Sequence, residues 1–179
     1  MSANNLFHNI EPLGDATPFV DRILEIIGHI KLLEDFGEED IARLAHYMVC
    51  FRVPAGVEII QEGEPGDFLL LVIEGTIEIV KKGANGLPAR VGLAGPGKTL
   101  GEMSVIDGEP RFASCITEQD CLLAVLDREN LSRILADEPR MGVKILMELL
   151  MLLNQRLRTV SNDLMKCMAD KQKRIGVLR

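Results

Sequence analysis

The stretch from Gly56 to Val80, GVEIIQEGEPGDFLLLVIEGTIEIV, decides the fold. Its runs VEIIQ, FLLLVI and TIEIV are dense in β-branched and aliphatic residues, with breaks at Gly63, Gly66 and Gly75. In the third run Ile77 and Ile79 alternate with Thr76 and Glu78, so one strand face is buried and the other meets water. The same texture continues outward through TIEIVKK, ARVGLA, FASCI and CLLAVL, making a β-rich segment from residue 49 to about 126. Many short strands, punctuated by Gly56, Gly63, Gly66, Gly75 and Gly83, predict a sandwich or roll.

On either side the periodicity turns helical. Val20, Ile23, Leu24 and Ile27, then Ile41, Leu44, Ala45 and Met48, recur at three- and four-residue steps. Thr17 before Pro18 reads as an N-cap with proline in the first turn. Gly37 followed by Glu38, Glu39 and Asp40 marks a second start, where negative charge suits the helix dipole. After the strands, Asp127 opens a short helix ending near Leu135. Asp137 and Pro139 then start a long one running to about residue 170, roughly 50 Å at 1.5 Å per residue.

Along that helix Val143, Leu146, Leu150, Leu153, Leu157, Val160, Leu164 and Cys167 step alternately by three and four, a heptad seam. A second stripe, Ile145, Leu149 and Leu152, occupies only the first half and gives way to Arg156 and Asp163. The first half is therefore expected to pack on its own β domain as well as on a partner, and the second half through the seam alone. The alternative is a helix lying wholly on its own domain. The expected organisation is a tail at 1–17, a helical segment at 18–48, a β domain at 49–136, and a dimerisation helix with basic tail at 137–179.

A chain of 179 residues suffices for one core with helical appendages. The net charge of −7 argues against a surface built to neutralise DNA phosphates. The basic tail from Lys166 to Arg179, with Lys171, Lys173 and Arg174, reads as a solvated helix end. No apolar run approaches 18 residues and MSANNLFHNIEPLGD lacks a basic-then-apolar pattern, so a cytoplasmic location away from membranes is expected. Cys50, Cys115, Cys121 and Cys167 show no CxxC spacing and read as free thiols rather than a metal site. His8, His29 and His46 all lie in the N-terminal segment with no nucleophile motif, so neither catalysis nor a metal or cofactor is expected. His29 and His46 read as packing or surface residues.

Residues 100–115, LGEMSVIDGEPRFASC, leave the strands and return to them. Gly101 permits close backbone approach, and Met103 to Asp107 can form a helical turn whose N–H groups face an anion. Arg111 adds a planar fork suited to phosphate oxygens. Glu102 would repel a phosphate unless it accepts hydrogen bonds, for which a sugar hydroxyl is a natural donor. A structural Glu102–Arg111 ion pair is the equally available reading.

The string resembles the phosphate-binding cassette of the cyclic-nucleotide-binding domain family, roughly FGE-x-A-L, a spacer, then PRxA[ST]. That family includes the catabolite activator protein, regulatory subunits of cAMP-dependent kinase and nucleotide-gated channels. GVEIIQEGEPGDFLLLVIEGTIEIV is similar to its early strands and AVLDRENLSRIL to its exit into helices, so the resemblance covers about residues 30 to 165. It implies an α+β fold: an antiparallel β-roll (a double-stranded β-helix or jelly roll) flanked by an N-terminal helical bundle and a long C-terminal helix.

Carried across, the resemblance implies that Glu102 and the Gly101 backbone hold the ribose 2′-OH and that Arg111 grips the cyclic phosphate. The N–H groups of Ser104 and Phe112 complete the cradle, and Met103 and Ala113 belong to the same binding loop. Ile79 and Val91 are implied as apolar walls, and Ser161, beside Val160 and Asn162, falls near the base. Phe112 departs from the small residue or threonine usual at its place; Leu100 and Ser104 replace Phe and Ala. There is no tryptophan and the only tyrosine is Tyr47, so no aromatic lid of that kind can lie on the long helix.

In the activator family the dimer helix leads into a helix-turn-helix, whereas this chain ends at Arg179, so no direct DNA binding is expected. The expected function is a cyclic-nucleotide sensor, most simply for cAMP, dimerising through Val143, Leu146, Leu150, Leu153, Leu157, Val160 and Leu164. It would signal to a separate, unknown protein by moving the long helix. Alternatives are cGMP or cyclic di-GMP as ligand, which Phe112 suggests, or a dimeric interaction scaffold without ligand.

Overall fold

The computed structural model describes residues 10–27, 36–83 and 85–177, except the side chains of Ile27, Lys171 and residues 173–177. His8 and His29, and the side chains of Lys171, Lys173 and Arg174, lie outside that description.

Among the described residues there are nine strands: β1 (Pro12–Asp15), β2 (Val49–Val53), β3 (Glu58–Ile60), β4 (Phe68–Glu74), β5 (Ile77–Lys82), β6 (Pro88–Ala94), β7 (Thr99–Leu100), β8 (Ser114–Thr117) and β9 (Cys121–Asp127). Five helices accompany them: α1 (Val20–Ile27), α2 (Glu38–Ala45), α3 (Glu102–Asp107), α4 (Arg128–Asp137) and α5 (Pro139–Val177). A five-stranded sheet, β1-β2-β9-β4-β7, faces a four-stranded one, β3-β8-β5-β6, and every pairing is antiparallel. The architecture is the expected α+β roll with flanking helices.

The uninterrupted apolar runs FLLLVI and CLLAVL find their reason here. On β4, Phe68, Leu70 and Val72 point between the sheets, while Leu69, Leu71 and Ile73 point outward under the helices. On β9, Cys121, Leu123 and Val125 take the inner side and Leu122, Ala124 and Leu126 the outer. A strand buried on both faces needs apolar residues at every position. The middle sheet layer thus serves two cores. The outer one is completed by Ile23, Ile41, Ala45, Leu131, Ile134, Met141, Ile145 and Leu149 from the helices and by Met48 from the connection between α2 and β2. On β5, Ile77 is buried in the inter-sheet core and Ile79 packs against it, but Glu78 to Lys81 are all half-buried, so the alternation of the sequence is not matched by an alternation of exposure.

Several details differ from the sequence reading. Part of the supposed tail is the edge strand β1, bulged between Pro12 and Gly14 and anchored just beyond by Ala16 N–H, which donates to the carbonyls of Ala45 (3.0 Å) and Met48 (3.1 Å). PLGD carries no alternation, so tertiary pairing alone makes it a strand. Thr17 does not cap a helix: its N–H donates to Asp15 Oδ1 at 3.1 Å, and Thr17–Phe19 form a 3-10 turn ahead of α1. The starts at Gly37 and Asp127 hold, whereas Asp137 closes α4 and α5 opens at Pro139. Gly37 N–H donates to Asp40 Oδ2 (3.2 Å), and Asp127 Oδ1 accepts from Asn130 N–H (2.7 Å) at the N-cap of α4.

α5 runs to Val177, beyond the expected end. Its stripe Met141, Ile145 and Leu149 is buried and Leu152 half-buried, so the first half packs on the roll as expected. Lys144 Nζ donates to Asp40 Oδ2 at 2.6 Å and ties α5 to α2, holding the Asp40 carboxyl below its ordinary value. Every residue from Leu157 to Asp170 is exposed.

Candidate ligand-binding site

The loop after β7 carries the chemistry. Gly101 adopts φ +83° as the N-cap of α3, a left-handed conformation that disfavours any side chain. Space excludes one as well, because a Cβ there would lie 2.6 Å from Arg111 Nη1 and 2.9 Å from the Phe68 carbonyl. Gly66 approaches the same guanidinium from the β3–β4 turn, where a Cβ would collide with Arg111 Nε and Cζ. Arg111 threads between these two glycines and is 4% exposed.

The Arg111 guanidinium donates to Gly101 O and to Phe68 O, both at 2.8 Å, and lies 4.4 Å from the Phe68 ring centroid. Among the ion pairs of the described residues none includes Arg111. Burial depresses its pKa below the ordinary arginine value, opposed by the negative potentials of Cys115 and Asp67. A cation solvated only by carbonyl dipoles and a ring is poised to accept an anion, because the cost of burying its charge is only partly offset.

Glu102, 1% exposed, does not pair with Arg111. Its Oε1 accepts from Arg156 Nη1 on α5, and Arg156 Nη2 donates to Thr99 O at 2.7 Å. Glu102 Oε2 is buried with no hydrogen-bond partner. The Glu102–Arg111 ion pair is thus not formed: the Glu102 carboxylate is neutralised from the long helix and keeps one oxygen without a hydrogen-bond partner. Burial also lowers the Arg156 pKa. The turn α3 is fixed by Arg128, which donates to Ser104 O at 2.5 Å.

These groups line a cavity of about 100 Å³. Of the residues expected from sequence, Gly101, Glu102, Met103, Ser104, Arg111, Phe112, Ala113 and Ile79 form its wall. Val91 and Ser161 do not. Val91 is the extra residue of a bulge opposite Ile79–Val80 and is 60% exposed, and Ser161 is exposed on the part of α5 beyond the roll. Four wall residues were not anticipated: Ile60, Leu100, Cys115 and Arg156. The signal for Arg156 was its phase, since it continues the steps of Ile145, Leu149 and Leu152. The Cys115 thiol is pushed up to about 12, chiefly by burial, and is inert packing rather than a nucleophile.

A model of the cyclic nucleotide-binding domain matches residues 50–138. The structure of a cyclic nucleotide-binding domain from Methylobacillus flagellatus KT aligns over 89% of this chain and 92% of that one, with 38% identity and a TM-score of 0.81. This chain belongs to the cyclic nucleotide-binding domain family. This chain is also 31% identical, over 140 residues, to the CRP-like cAMP-activated global transcriptional regulator of Mycobacterium tuberculosis, covering 78% of this chain and 61% of that protein. The cAMP-dependent protein kinase regulatory subunit of Yarrowia lipolytica is 28% identical over 118 residues, 66% of this chain and 30% of that subunit. The chain therefore spans under two thirds of the length of these two proteins. No helix among the described residues is long and apolar enough to cross a membrane.

Proposed function

We propose that the chain is a receptor for a cyclic mononucleotide, cAMP in the first instance, that works as a homodimer and signals to a separate protein through α5. The observation that carries this reading is the pairing pattern of the cavity: a buried Arg111 without a carboxylate, beside a Glu102 with one unpartnered oxygen. A cyclic phosphate on Arg111, with N–H groups of Ser104 and Phe112, and a ribose 2′-OH on Glu102 Oε2 would satisfy both. That one relative is a cAMP-activated regulator and another the regulatory subunit of a cAMP-dependent kinase supports the choice of ligand. A thermal-shift panel of cAMP, cGMP and cyclic di-GMP tests it. A ligand present at a hundred times its Kd adds about 2.7 kcal/mol of stability. Stabilisation by cAMP is the expected outcome, and by cyclic di-GMP alone the overturning one.

The route of the signal follows from Arg156, which binds the cassette at the point where α5 leaves the roll. A ligand shifts a helix only if the two arrangements bind it differently, and a carboxylate shared between ribose and Arg156 supplies that difference. In the wild type cAMP should alter hydrogen exchange along α5. Arg156→Ala should keep cAMP binding but lose that alteration; the same exchange response in both proteins would remove α5 from the pathway.

A further inference from the structure

Phe112 is a large aromatic side chain at the cavity wall, yet 55% exposed. Its placement is nevertheless tightly determined. Lys81 Nζ on β5 sits 4.0 Å from the ring centroid, donates to Phe112 O at 2.6 Å and donates to Glu62 Oε1 at 3.0 Å. Glu62 is held in turn, its Oε2 accepting from Lys82 N–H (2.8 Å) and its own N–H donating to Ser114 Oγ (2.9 Å). The Lys82 N–H first, and Lys81 second, keep the Glu62 carboxyl below its ordinary value, so the clamp on Lys81 stays charged. Lys81 is not part of the cavity wall whereas Phe112 is, so the cation covers the ring from outside the cavity.

The ring and the Arg111 side chain line the same cavity, so a ligand whose phosphate is held by that guanidinium can rest its base on Phe112. A cation over one face of an aromatic ring draws on its electron density and leaves the remaining surface better suited to an electron-rich stacking partner. We propose that Phe112 is the platform on which the ligand's base stacks, that it selects purine over pyrimidine cyclic nucleotides, and that Lys81 and Glu62 are its positioning residues. A purine lays two fused rings on the platform and a pyrimidine one. The inference rests on the cyclic-nucleotide reading of the cavity and adds the chemical class of the base.

The test is calorimetric titration of wild type, Phe112→Leu, Phe112→Tyr and Lys81→Met with cAMP, cGMP and cCMP. Phe112→Leu keeps apolar bulk and removes the aromatic face; because the side chain is exposed, the melting temperature should not move. It should weaken the purine ligands by about tenfold and cCMP by clearly less, shrinking the purine preference. Phe112→Tyr should restore that preference and Lys81→Met should fall between. Purine binding by Phe112→Leu that equals or exceeds wild type would overturn the platform alone. Failure of wild type to bind any of the three would overturn the receptor reading and the platform with it.

Discussion

Replacing Arg111 with alanine should weaken cAMP binding by about ten- to a hundred-and-fifty-fold, the loss of a charged hydrogen bond worth about 1.5–3 kcal/mol. The expectation is sharpened by what the residue does in the free protein. Its guanidinium is buried and meets only the carbonyls of Gly101 and Phe68 and the Phe68 ring. Removing it relieves a desolvated charge as well as deleting two hydrogen bonds, and these costs oppose one another. The unliganded variant should therefore melt close to wild type, while the ligand-induced shift collapses. A large fall in the melting temperature without ligand would make Arg111 a structural residue, and unchanged cAMP affinity in calorimetry would reject its assignment to the phosphate. Arg111→Lys keeps charge without the fork and should recover only part of the affinity.

The second large effect concerns oligomeric state. Val143, Leu146, Leu150, Leu157, Val160 and Leu164 are all exposed, with Leu157 at 65% and Leu164 at 58%, and Leu153 is half-buried. From Leu157 to Asp170 every residue is exposed, and helices in proteins draw most of their stability from packing an apolar face. A second copy laid along the seam would bury the row on both chains. Light scattering should report a dimer at micromolar concentration. Leu157→Glu combined with Leu164→Glu should give a monomer whose first half of α5, held by Ile145 and Leu149, remains docked. Cys167 lies on the same seam and is exposed, so mild oxidation should cross-link a parallel, in-register pair through it. A wild-type monomer unaffected by ligand would contradict the seam.

What the sequence made legible followed its strongest periodicities. The strands from VEIIQ to CLLAVL, the starts at Gly37 and Asp127 and the two stripes of the long helix were readable because their signals are local. β1 and the two-residue β7 were not, since PLGD and Thr99–Leu100 become strands only by pairing with β2 and β4. The cassette stood out as the candidate site from Gly101 and Arg111, which the structure brings together at one cavity. The true partner of Glu102 was hidden, because Arg156 is 54 residues away and is brought there by the packing of α5. Lys81 was hidden similarly: only the β5–β8 pairing, Val80 opposite Ser114, sets it beside Phe112. Val91 fell outside the cavity because a bulge turns the strand at that point, which no alternation pattern reveals.

The two-sided burial of β4 and β9 creates a problem of alignment. Where one face is wet, sliding a strand by one residue would drive charges inward, and polarity alone forbids it. Phe68 to Ile73 carry no such penalty, since either set of alternate side chains is greasy enough for either core. Alignment must then be enforced at the ends of the pair. At one end Arg128 N–H donates to Asp67 O at 2.7 Å, locking the exit of β9 to the entrance of β4. At the other, Gly75 turns with φ +93° so close to Asp120 O that a Cβ would lie 2.6 Å from it. Between these two stops the strands can slide neither way, and Phe68 O remains where Arg111 needs it.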